Sequence, residues 1–125
     1  MAEALQKKLQ TEVEKYQALQ KDYQKYVGAK QQLDAQMNEN TLVKEEMDRL
    51  EQGANIFKMI GPVLVKQELE EAKITVQKRV DYITGEIKRH ETTIKDLEKK
   101  QESHREDLAK LQQQFQQAKG AAIKA

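Results

Sequence analysis

Residues 55–68 read NIFKMIGPVLVKQE, an apolar segment in the middle of a 125-residue chain that is otherwise rich in Lys, Glu, Asp and Gln. Two runs of β-branched and large apolar residues, 56–60 and 63–67, flank Gly61 and Pro62. In a type II′ turn the first position has a positive φ, which suits glycine, and the missing N–H of proline does no harm at the second. The segment therefore predicts a β-hairpin, with either this two-residue turn or a longer loop.

A hairpin of two strands is marginal in water on its own, and its edges expose unpaired N–H and C=O groups. We therefore expect hairpins from several chains to join into one sheet or barrel. The side chains expected in that interface are the large apolar ones of the hairpin: Ile56, Phe57, Met59, Ile60, Val63, Leu64 and Val65.

Helix-forming residues flank the hairpin on both sides, and the only proline of the chain lies in the hairpin turn. Apolar residues recur at spacings of three and four, which is typical of a coiled-coil seam. Around Val43 the apolar residues come one position early, which indicates either a stammer or looser packing there. The predicted elements of a single domain, 1–125, are a helix at 2–52, the hairpin at 55–67, a helix at 68–119 and a flexible tail at 120–125.

If the hairpin reverses the chain, the two helices pair antiparallel and both chain ends meet at one tip. The predicted fold is mostly α: a long antiparallel two-helix coiled coil joined by one central β-hairpin that enters an intersubunit β-barrel. Apolar residues at the tip could hold nonnative hydrophobic segments of other proteins, or they could simply end the seam. The candidate client-contacting residues are Leu5, Leu9, Leu108, Leu111, Phe115 and Ile123.

Composition argues against several other functions. Lys and Arg number 22 against 21 Asp and Glu, so no basic stripe predicts nucleic-acid binding. The chain has no cysteine, no apolar run long enough to span a membrane, and no motif of a known catalytic site. His90 and His104 are two heptads apart, about 21 Å along a helix, which is too far for one metal ion. We therefore expect no enzyme, metal or cofactor, no nucleic-acid or membrane partner, and an intracellular location.

The segment NIFKMIGPVLVKQELEEAK, between heptad helices of matched length, resembles the central hairpin of β-type subunits of the prefoldin family. The run GPVLVKQEL followed by VDYITGEIKRHE is most similar to eukaryotic members. This resemblance implies a heterohexameric cochaperone without ATPase activity, in which α-type and other β-type subunits are the partners. It also implies a cytoplasmic location, where the coiled-coil tips hold unfolded proteins such as actin and tubulin and deliver them to the cytosolic chaperonin.

The alternative is a coiled-coil tether or dimerisation module that binds no client. A parallel coiled coil between two chains would need one helix running through the centre of each. Gly61 and Pro62 argue against a continuous helix there.

Overall fold

The computed structural model has two long helices with one hairpin between them along the chain. It describes residues 2–124 and the side chains of residues 2–121. The mostly helical fold with a central hairpin is therefore confirmed. In chain order the elements are α1 (Ala2–Asp48), β1 (Ile56–Ile60), β2 (Val63–Gln67) and α2 (Leu69–Lys124).

The hairpin has the two-residue turn. β1 and β2 pair antiparallel in a register that places Ile60 opposite Val63, so only Gly61 and Pro62 connect the strands. Gly61 has a φ of 59°, and the ring of Pro62 holds φ near −65°. A positive φ followed by a negative one fits a type II′ turn and not a type I′ turn, in which both are positive. The longer loop is excluded.

Helix α1 ends at Asp48, whereas the sequence predicted residue 52. Its last turn carries no basic residue and three acidic ones, which interact unfavourably with the negative end of the helix dipole. After the helix, the N–H of Ala54 donates to the carbonyl oxygen of Glu51 at 3.1 Å. Gly53, inside this turn, has a φ of 86°, which a helix does not allow.

Helix α2 begins at Leu69 and continues to Lys124, so residues 120–124 are helical where the sequence predicted a tail after residue 119. Gly120 does not take the positive φ with which glycine often ends a helix. The alanines beside it have the highest helix propensity of all residues. The side chain of Ile123 lies outside the described residues.

The chain divides into two compact units. The terminal unit contains residues 1–28 and 91–125, and the hairpin unit contains residues 29–90. In the terminal unit, Glu12 contacts His104 and Tyr23 contacts Glu98, so α1 and α2 run antiparallel there.

The helices are also antiparallel in the hairpin unit. Lys73 Nζ lies 4.0 Å from Asp48 Oδ1, while Gln36, much earlier in α1, shares a groove with Tyr82 of α2. The predicted antiparallel pairing is thus present in each unit.

Burial follows the predicted seam of α2. Among the described residues, α1 has no buried side chain. The buried side chains all lie on α2 and are Leu69, Ala72, Val76, Ile83 and Leu97.

The half-buried positions of α1 keep their alternating spacing of three and four through Asn40, Lys44 and Met47, while Val43 is exposed. Of the two alternatives for the region near Val43, the stammer is therefore absent. The aliphatic stem of Lys44 can occupy the seam while its ammonium group stays in water.

Candidate interaction surfaces

The hairpin presents a largely uncovered apolar surface. Of the seven residues that the sequence assigned to an interface, Ile56 is half-buried and the other six are exposed, Met59 to 70% of its maximum. We call those six the hairpin surface: Phe57, Met59, Ile60, Val63, Leu64 and Val65. Monomeric soluble proteins rarely leave so many contiguous apolar side chains open to water.

The hairpin surface has two faces, because side chains alternate along a strand. The strand register places Met59 opposite Leu64 on one face and Ile60 opposite Val63 on the other. Both pairs are exposed. The described chain therefore covers neither face of the outer part of the hairpin.

The inner part of the hairpin contacts the helices. Ile56 lines a small cavity together with Val43 and Met47 of α1 and Val76 of α2. Val76 is only 4% exposed, because both the partner helix and the hairpin lie near it. This attachment holds the hairpin while its outer part remains open.

Five of the six candidate client-contacting residues have described side chains, and these lie on the seam of the terminal unit. The five whose side chains are described are all half-buried, and we call them the terminal cluster: Leu5, Leu9, Leu108, Leu111 and Phe115. Leu111 lines a groove with Lys8, Thr11 and other residues in the first turns of α1. The structure therefore brings α2 beside the start of α1 as predicted, but these apolar groups are only partly accessible.

Exposed apolar side chains are unevenly distributed between the two units. Among the described side chains, every large apolar one that is exposed belongs to the hairpin unit, including Leu42, Ile74 and Tyr82 on the helices. The large apolar side chains of the terminal unit that the structure describes are half-buried or buried.

Polar contacts join the two helices of the terminal unit. The hydroxyl of Tyr23 donates to Glu98 Oε1 at 3.3 Å, and Arg105 Nη2 donates to the hydroxyl of Tyr16 at 3.2 Å. Both tyrosines are half-buried on the seam, with hydroxyls that reach the polar edge. Their partners could not be identified from the sequence, because they depend on how the two helices are staggered.

Glu12 and His104 form the shortest of these links. Glu12 Oε2 and His104 Nδ1 are 2.8 Å apart, and Lys15 Nζ lies 3.6 Å from the other carboxylate oxygen of Glu12. The hydrogen bond from His104, helped by the charge of Lys15, lowers the pKa of Glu12 below its usual value against the opposing effect of burial. The carboxylate is therefore ionised at neutral pH. The hydrogen bond that Arg105 donates to Tyr16 raises the pKa of Arg105, so the charged form is favoured in both Glu12 and Arg105.

No stretch of the described helices combines the length and the apolar character that crossing a bilayer requires. Within the described residues, the chain also has no buried side-chain nitrogen or oxygen without a hydrogen-bond partner.

Known proteins with similar sequences are prefoldin subunits. Residues 10–115 match the sequence model of the prefoldin subunit family. The chain is 59% identical to prefoldin subunit 6 of Mus musculus over 121 residues, which are 97% of this chain and 95% of that protein. It is 46% identical to a probable prefoldin subunit 6 of Drosophila melanogaster over 115 residues, 92% of each chain.

Among solved structures, the prefoldin beta subunit from Thermococcus strain KS-1 is similar with a TM-score of 0.57 and 22% identity. The match covers 89% of this chain and 91% of that subunit. At this identity the likeness concerns the fold alone.

Proposed function

The chain belongs to the prefoldin family, and from this premise we propose that it is a subunit of a hetero-oligomeric, ATP-independent holdase. Its partners would be α-type and other β-type prefoldin subunits. The complex would work in the cytoplasm, where it holds unfolded proteins such as actin and tubulin chains and delivers them to the cytosolic chaperonin.

The exposed hairpin surface is the observation that carries this proposal. Burying apolar area contributes roughly 25 cal/mol per Å², and six large side chains on two faces are available for it. The strand edges supply backbone N–H and C=O groups that can pair with another strand. A sheet built from several subunits would satisfy both requirements.

Client binding is proposed for the terminal cluster. Its leucines and phenylalanine are half-buried, so each offers a small apolar area and a weak contact. Several such sites on one assembly can together bind an unfolded chain strongly, while each contact is released easily. Holding and release of this kind need no nucleotide, and we expect no stoichiometric ATP binding.

The experiment is suppression of aggregation of a denatured client by the complete complex. Replacing both Leu9 and Leu111 by Ser removes two residues of the terminal cluster, and we expect suppression to fall several-fold. Incorporation of the variant into the complex, measured by native mass spectrometry, should be unchanged.

The matched control replaces Leu19 and Ile94 by Ser. These are half-buried seam residues of the same unit that lie outside the terminal cluster, so they test whether any loss comes from weakened helix pairing. Equal loss in the two double variants would contradict a specific client site. If the complex with the Leu9 and Leu111 variant suppresses aggregation fully, this chain would instead act as a tether that holds no client itself.

A further inference from the structure

Three groups that can bind a metal ion meet in the terminal unit. Glu12 on α1 and His104 and Asp107 on α2 each offer one ligand atom, and these atoms all lie within 4.8 Å of one another. Two different helices supply the three groups, so their meeting depends on the fold. It is not visible in any one stretch of sequence.

We propose that Glu12, His104 and Asp107 form a binding site for Zn²⁺ that joins α1 to α2. One imidazole nitrogen and two carboxylate oxygens are ligands that Zn²⁺ accepts, and water would complete a tetrahedral set.

The spacing of the ligands suits the size of the ion. With bonds of about 2.1 Å to nitrogen and oxygen, the ligand atoms of a tetrahedral zinc site are about 3.4 Å apart. Glu12 Oε2 and His104 Nδ1 are now 2.8 Å apart and share a hydrogen bond, so they need to separate by only a fraction of an ångström. Asp107 is exposed and lies one helical turn after His104, which leaves its side chain room to close on the ion.

The surroundings of Glu12 are compatible with a bound ion. Lys15 approaches Oε1 of Glu12, whereas His104 is bound by Oε2. The oxygen that faces the imidazole is therefore not the one in contact with the ammonium group. On binding Zn²⁺, His104 would exchange its hydrogen bond with Glu12 for a bond from Nδ1 to the ion, which requires Nδ1 to carry no proton.

A zinc ion at this place would cross-link the two helices close to the terminal cluster. Because ion binding stabilises the paired form, it would oppose separation of the helix ends. This inference does not rest on the proposed holdase function, because metal binding can be measured on the chain alone and without a client.

The test uses the full-length chain without a histidine tag. Isothermal titration with Zn²⁺ should show one ion bound per chain, and Zn²⁺ should raise the midpoint of thermal unfolding relative to the same protein in EDTA. His104→Gln and Asp107→Asn should each weaken binding by at least about tenfold, as expected when a metal site loses one of its supports.

Two matched controls keep the test specific. His90→Gln removes the other histidine of the chain, whose Nδ1 lies 2.8 Å from the backbone oxygen of Glu86. Glu98→Gln removes a carboxylate of the same helix that accepts a hydrogen bond from Tyr23. Both should bind Zn²⁺ like the unmodified chain.

The site is refuted if the unmodified chain binds no Zn²⁺ at about 100 µM, where a site of micromolar affinity would be nearly full. It is also refuted if Asp107→Asn binds as tightly as the unmodified chain, or if His90→Gln weakens binding as much as His104→Gln. Since Asp107 is exposed, its substitution leaves the helix pair intact and the result can be interpreted even if His104→Gln does not fold.

Discussion

Two isoleucines on α2 show how strongly burial depends on the position of a residue in the heptad. Ile83 lies on the seam and is 6% exposed, while Ile74, in the same helix and the same unit, is 55% exposed. The side chains are identical, so the difference comes only from the face of the helix on which each one lies.

We predict that Ile83→Ala lowers the free energy of unfolding by about 2–5 kcal/mol, because it removes buried methyl and methylene groups and leaves a cavity. Ile74→Ala is the matched control and should cost less than about 1 kcal/mol. Urea unfolding of the full chain, followed by circular dichroism, measures both. Similar losses from the two substitutions would contradict the assignment of the seam.

Single residues also show where sequence reasoning stops. The apolar heptads of α2 predicted its seam, because burial repeats with the helix period. On α1, the half-buried positions include a charged residue, Glu12, for which the pattern predicts no partner. Its partner, His104, is 92 positions away, and only the stagger of the two helices brings the two together. The spacing of His90 and His104 along one helix excluded an ion shared by these two residues. It gave no information on a site to which both helices contribute.

At the scale of elements, the hairpin was more predictable than the ends of the helices. Gly61 and Pro62 restrict the backbone enough to predict a hairpin with a two-residue turn as one of two alternatives, and the strand register then excluded the longer loop. Helix ends depend on small differences in free energy. Three acidic residues and the turn at Gly53 were enough to end α1 before its predicted end, and alanines were enough to extend α2 past Gly120.

We predict that Leu64→Asp prevents the chain from joining its complex, because a charge would enter an apolar interface without a partner. Leu64 is 62% exposed in the chain, so the substitution should leave the helicity of the free protein unchanged. Native mass spectrometry of the reconstituted complex measures incorporation, and circular dichroism measures helicity.

The control for the hairpin is Leu42→Asp. Leu42 is 61% exposed and belongs to the same unit, but it lies on α1. This variant should be incorporated normally, since the proposed assembly uses the hairpin. Exclusion of both variants would mean that the assembly also needs the helices. Normal incorporation of the Leu64 variant would disprove the role of the hairpin surface.

At the scale of the whole molecule, the two proposed tasks fall to different compact units. The candidate assembly residues are in the hairpin unit, and the terminal cluster is in the terminal unit. Family membership and fold followed from the hairpin sequence and the heptads. The accessibility of the terminal cluster did not, because the same leucines could form either a closed seam or an open surface. The structure places them between these two states, as half-buried residues.

Local separation of the helices would expose more apolar surface of the terminal cluster to a client than its half-buried side chains offer. We predict that a reducible cross-linker between cysteines at positions 12 and 104, whose present side chains are 2.8 Å apart, lowers aggregation suppression. Because the natural chain has no cysteine, these two positions are the only ones in it that can be cross-linked, and treating the chain before assembly keeps partner subunits out of the reaction. Reduction should restore the activity of the same sample.

A second pair, at positions 23 and 98, serves as the comparison. Tyr23 and Glu98 also contact each other, but they lie farther along the helices from the terminal cluster. Cross-linking there should have a smaller effect. If suppression is the same before and after reduction of the pair at 12 and 104, clients are held without opening of the helices.

The exposed hairpin also affects how long an unassembled copy of the chain persists in a cell. A copy synthesised without its partners keeps six large apolar side chains and the strand edges in water. Such an unassembled subunit would aggregate with other copies or be degraded by quality-control proteases, because exposed apolar strands promote both aggregation and degradation. We therefore expect the lifetime of this chain in a cell to be set by the supply of its partners more than by the stability of its own fold.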